Sequence, residues 1–243
     1  MIDPRTYIIG ERLREVKRII TVASGKGGVG KSLVSATLSL LLSSRGKEIG
    51  LLDLDFHGPS CHIILGATDI EPLEEYGIIP PRLNGVKFMT IAYYIGDEPA
   101  PLRGEEISNV FIELLSVTRW GKLDYLIIDA PPGIGDEIAD IVRLVRRCEF
   151  ILVTTPSKLS LLTVERTIKF LKELRQPVIG LIENMVLRES GEGIKLAEKY
   201  GIKYLGSIPY TVEIEDAIGS PSRILETAFS KKLAEIAVAS GLL

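Results

Sequence analysis

The chain has 243 residues, 46% hydrophobic and 25% charged, a balance that supports a substantial buried core and excludes a disordered chain. A formal charge of -3 and an isoelectric point near 5.6 give no basic field for nucleic acid or anionic lipid, so neither is expected as the main partner. Two cysteines with no CxxC pair exclude a disulfide framework and a zinc ribbon; with no apolar run of about 18 residues and a charged N-terminus, MIDPRTYIIGERLREVKR, a cytoplasmic protein is expected.

Short β-branched runs alternate with helical patterns along the chain. IITVA (19 to 23) predicts a strand, GKGGVGKS (25 to 32) a glycine-rich turn, 32 to 44 a helix, and EIGLLDLD (48 to 55) a second strand. The stretch 61 to 101 is rich in Pro and Gly and contains GIIPPRLNGVKFMTIAYY, two short strands around an Asn-Gly turn; it is expected to be an insertion after the second strand. A helix at 105 to 119 follows, then LDYLIIDA (123 to 130), FILVTT (150 to 155) and VIGLIEN (178 to 184), each apolar on both faces as buried parallel strands are. Helices at 136 to 147 and 160 to 174 join them, and LETAFSKKLAEIAVASGLL closes the chain at helical spacing. The βαβ rhythm predicts one α/β domain over 1 to 243: a doubly wound, mostly parallel sheet with helices on both faces.

Gly25 to Ser32 fits GxxxxGK[ST] between a strand and a helix, the setting that makes the pattern a phosphate loop. Gly25, Gly27, Gly28, Val29 and Gly30 let backbone amides converge on phosphate oxygens, Lys31 reaches the terminal phosphates, and Ser32 is placed to ligate magnesium. ATP with Mg2+ is the expected ligand. Asp129 closes a buried apolar strand, where an unpaired carboxylate is costly, so a role behind magnesium explains it.

With Lys26 as a second lysine, the loop resembles the deviant Walker A loop of the Mrp/MinD family. LLDLDFHGPS (51 to 60) is similar to the family's switch I, LDYLIIDAPPGIGDE (123 to 137) to its Walker B and switch II, and PLRG (101 to 104) and WGKLDY (120 to 125) look more like the Mrp branch. The resemblance implies an ATP-hydrolysing homodimer in which Lys26 reaches the partner's nucleotide, Asp55 orients the attacking water, and Asp53 supports the magnesium shell. It also implies an adenine pocket at IENM (182 to 185) and GSIPY (206 to 210), with Asn184 reading the base and Pro209 beside it.

Two departures stand out. Leu33 replaces the second hydroxyl that many members carry, and VLRESGEG (186 to 193) stands where iron-sulfur carriers of the family place a CxxC pair. Without bridging thiolates, cluster carriage by that route is not expected. His57, Cys61 and His62 form a grouping beside switch I that suits either packing or a borderline metal such as nickel or zinc. The sequence therefore points to a metalloprotein-maturation ATPase, expected to deliver nickel to a [NiFe] hydrogenase with a metallochaperone. An iron-sulfur carrier or scaffold is the alternative, and a MinD-like spatial regulator the second.

Overall fold

The computed structural model describes residues 3–56, 58–67, 70–95, 105–188 and 190–243. In chain order the elements are α1 (Arg5–Leu13), β1 (Val16–Ser24), α2 (Lys31–Ser44), β2 (Ile49–Asp53), α3 (Cys61–Leu65), β3 (Leu73–Glu74), β4 (Ile78–Ile79), β5 (Arg82–Leu83), β6 (Val86–Thr90), α4 (Ala92–Ile95) and α5 (Glu105–Val117). There follow β7 (Leu123–Asp129), α6 (Asp136–Leu144), β8 (Cys148–Thr154), α7 (Lys158–Glu173), β9 (Val178–Val186), α8 (Glu192–Tyr200), β10 (Tyr204–Pro209), α9 (Glu213–Ala217), α10 (Pro221–Glu226) and α11 (Ala228–Ala239).

Eight strands form one sheet in the order β10-β9-β8-β1-β7-β2-β6-β5. Every neighbouring pair is parallel except β5 and β6, an antiparallel hairpin turning at Asn84 and Gly85, both at positive φ. The continuous apolar runs become central strands because helices cover both faces. On one face α2 and α11 place Val34, Leu38, Leu233 and Ile236 in a single core. On the other, α1, α5, α6 and α7 contribute Ile9, Phe111, Ile141 and Ile168 to a second. The doubly wound parallel sheet is thus as the sequence implies. Within 61 to 101, the stretch read as an insertion, β6 pairs with β2 along Ile49–Asp53 and extends the main sheet. A small β3–β4 hairpin lies apart from it.

From β1 the chain passes through α2 to β2, which lies beyond β7, while β8 lies on the other side of β1. The strand order reverses at β1, and in open α/β sheets ligands bind at the carboxyl ends of strands beside such a switch point. Among the described residues no helix is long and apolar enough to cross a membrane.

Candidate nucleotide site

The turn after β1 is the phosphate loop. Gly28 and Gly30 take positive φ of 75° and 83°, and Gly30 caps the N-terminus of α2, aiming that helix end into the open loop. A Cβ on Gly25 would lie 2.3 Å from backbone atoms of Thr163 and Val164, so α7 packs directly on the loop; a Cβ on Gly27 or Gly28 would meet nothing within 4 Å. Those two glycines leave open the space a phosphate needs. Lys26, Gly27, Gly28, Gly30, Lys31, Ser32, Leu33 and Asp55 line a shared cavity of about 330 Å³, and Val29 is buried beneath it.

Two strand ends supply the acidic wall. Asp53 and Asp129 are register partners on β2 and β7, both fully buried. The Lys31 ammonium, itself 5% exposed, lies 2.9 Å from Asp129 Oδ2 and 3.5 Å from Asp55. Ser32 Oγ donates to Asp129 Oδ2 at 2.6 Å, and Ser35 Oγ to Oδ1 at 2.7 Å. Asp129 is therefore fully engaged with the same lysine and serine that the sequence assigns to phosphate and magnesium. Asp53 accepts from the backbone amides of Asp55 and Cys61, each at 3.1 Å, and so fastens both ends of the intervening loop. Burial and the neighbouring Asp129 charge push its carboxyl up to about 7. Asp55 accepts from the Gly58 amide at 3.2 Å, facing the cavity from that loop.

On the opposite wall, Asn184 is buried and its side-chain amide donates to the Val29 carbonyl at 2.9 Å, bracing the phosphate loop from β9. Met185, Glu215 and Ile218 line the cavity there, whereas Pro209 stands exposed at the end of β10. Sequence reasoning missed Ser35, Glu215 and Ile218. The second serine on the α2 face, one turn after Lys31, was the legible signal for Ser35.

The grouping of His57, Cys61 and His62 is described only in part. His57 lies outside the described residues. Cys61 points inward, its Sγ 3.6 Å from Asp129 Oδ2, and the group of metal-capable side chains among the described residues is Asp53, Cys61 and Asp129. Successive helical residues diverge by about 100°, so Cys61 and His62 at the start of α3 cannot share a face.

Parallel strands that carry a phosphate loop and its opposing aspartate to one carboxyl edge make this chain a P-loop NTPase. Within that class it belongs to the family described as ParA: NUBPL iron-transfer P-loop NTPase, whose sequence model matches residues 15–239. The Mrp-type resemblance agrees with that membership. A protein of Methanocaldococcus jannaschii named iron-sulfur cluster carrier protein is 37% identical over 247 residues, covering 94% of this chain and 85% of that one. The protein of the same name from Pyrococcus furiosus is 36% identical, over 97% and 90% respectively. A Rickettsia felis relative, also so named, is 40% identical over 84% of this chain, which spans 65% of that longer protein.

Among solved structures, an Archaeoglobus fulgidus nucleotide-binding protein in complex with ADP superposes with a TM-score of 0.80 at 30% identity, covering 93% of this chain and 95% of its own. The septum site-determining protein MinD of Pyrococcus horikoshii, complexed with Mg-ADP, gives 0.68 at 22% identity over 90% and 94%, a likeness of fold. The expectation of nickel delivery to a hydrogenase is overturned by the relatives, which carry the name of the alternative, iron-sulfur cluster carrier. What misled it was the missing CxxC pair, a difference in cargo ligands that leaves the family untouched.

Proposed function

We propose that the chain is a magnesium-dependent ATPase, converting ATP to ADP and phosphate, that works as a nucleotide-switched homodimer in iron-sulfur cluster transfer. The observation that carries this reading is Lys31 and Ser32 poised on Asp129 beneath an open phosphate loop. Arriving triphosphate offers the ammonium more negative charge than the two carboxylates of Asp129 and Asp55 do, so Lys31 transfers to the phosphates and Ser32 is freed from Asp129. The hard oxygen donors Ser32, Asp53 and Asp129 suit magnesium, which, held by Ser32 with the two carboxylates behind it, supplies charge neutralisation on the phosphates. Asp55 then orients water, and Lys26 reaches across to the partner's nucleotide. Asn184 and Pro209 remain the proposed base contacts, with Met185 and Ile218 as an apolar wall.

An iron-sulfur cluster as cargo does not fit this chain's own side chains. Both cysteines are buried, Cys61 at the carboxyl edge of the sheet and Cys148 at the start of β8, the opposite edge. Clusters are held by several thiolates converging on one point, and these two cannot converge. The chain therefore supplies the nucleotide switch, while thiolates for the cluster come from another protein. ATP hydrolysis by the purified chain, together with ATP-dependent association with a cluster-loaded carrier that has a CxxC pair, tests the reading. Absence of hydrolysis removes the ATPase; association indifferent to ATP removes the role in cluster transfer.

A further inference from the structure

We propose that Asp53, Cys61 and Asp129 form a site for a thiophilic divalent cation of the zinc class, which excludes magnesium and nucleotide while it is bound. The inference rests on the proposed Mg·ATP site and not on the iron-sulfur reading, and the cobalt titration without nucleotide tests the cation site apart from the nucleotide site. The three ligand atoms lie within 4.8 Å of one another, and all three residues are fully buried. Zinc-sulfur bonds of about 2.3 Å and zinc-oxygen bonds of about 2.0 to 2.2 Å at tetrahedral angles set neighbouring ligand atoms about 3.5 Å apart. Cys61 Sγ and Asp129 Oδ2 stand 3.6 Å apart, so a metal can bridge them with little rearrangement.

Donor chemistry separates this cation from magnesium. Magnesium demands oxygen and keeps its waters, whereas a thiolate selects softer ions. As the metal binds, the Cys61 thiol proton and any proton on Asp53 leave to solvent, and no electron moves. The dication and the Lys31 ammonium, which lies 2.9 Å from Asp129 and 3.5 Å from Asp55, offset all but one of the four negative charges of the thiolate and the three carboxylates. Exclusion of magnesium follows from Asp129, whose Oδ2 accepts from Ser32 Oγ at 2.6 Å. A dication on that oxygen occupies the ground that magnesium on Ser32 requires. It also joins the end of β2 to the first residue of α3, fixing the loop that carries Asp55.

Cobalt(II), which reports thiolate ligation through a charge-transfer absorption, is the probe. Titrated into the nucleotide-free protein, it should bind one ion per chain with that band. The band should survive Cys148→Ser, vanish in both Cys61→Ser and Cys61→Ala, and bleach on adding zinc. Saturating Mg·ATP should weaken cobalt binding by at least about tenfold, and cobalt should weaken Mg·ATP equally, because binding linkage is reciprocal. A parent protein without the band, a band that persists in a folded Cys61 variant, or a cobalt affinity indifferent to Mg·ATP overturns the proposal. The parent titration with and without Mg·ATP decides it even where both Cys61 variants fail to fold.

Discussion

Lys31 lies 2.9 Å from the buried carboxylate of Asp129 and 3.5 Å from Asp55, and in the proposed function it passes from them to the phosphates of the nucleotide. Its removal should therefore weaken ATP far beyond the loss of a neutral contact, since hydrogen bonds to charged groups contribute about 1.5 to 3 kcal/mol each. Calorimetry on Lys31→Ala should show affinity lowered by at least about tenfold; binding equal to the parent would remove the phosphate-loop assignment. Asp53 gives a second prediction, on pH. Its carboxyl is raised by burial and by the Asp129 charge, so the stability its proton contributes is fully present below the ordinary value of 3.8 and is lost as pH rises through about 7. In chelator and without nucleotide, the melting temperature of Asp53→Asn should fall less than the parent's between those two values. Parallel pH profiles for the two proteins would contradict the assignment.

Between residues and the whole stand the contacts of one element on another, and the glycines of the phosphate loop separate two of them. Gly25→Ala drives a methyl to 2.3 Å from the backbone of α7, which cannot yield as a side chain could, so nucleotide-free stability should drop by about 1 to 3 kcal/mol in urea. Gly27→Ala meets nothing within 4 Å and should stay within about 0.5 kcal/mol. Equal losses would mean that the loop does not bear on α7 as described. At the start of α7, Ser157 accepts from the Ser160 amide at 3.2 Å, and Ser157→Ala should cost about 1 kcal/mol by the same measurement. The same contacts show what was legible in the sequence. β1, β7, β8 and β9 declare themselves because strands buried on both faces must be apolar throughout, and the phosphate loop does so because glycine spacing is itself the mechanism. The place of β6 beside β2 is not legible, since a parallel pairing is set by partners distant in sequence. The surroundings of Cys61 are not legible for a related reason: its neighbours in the chain include a histidine, but its neighbours in space are aspartates on β2 and β7.

For the whole molecule, the proposed hydrolysis and dimerisation should be separable. Asp55→Asn should retain ATP, cleave it slower by about two orders of magnitude and accumulate dimer in light scattering, while Lys26→Ala should bind nucleotide and remain monomeric. A monomeric Asp55→Asn or a normally dimerising Lys26→Ala would refute the scheme. The protein should also emerge colourless from anaerobic reconstitution with iron and sulfide, because neither cysteine reaches the surface; a brown product with stoichiometric iron would return cluster ligation to this chain. The convergence of β1, β7 and β2 on one site has a further consequence. Nucleotide held at the proposed site would tie together three central strands of the sheet rather than a peripheral flap, so its binding energy would add to global stability, by about 2.7 kcal/mol at about a hundredfold excess over the dissociation constant. Proteolytic turnover in the cell would then follow occupancy of the site: loss of bound nucleotide would shorten the lifetime of the protein itself, withdrawing the switch when it has nothing to bind.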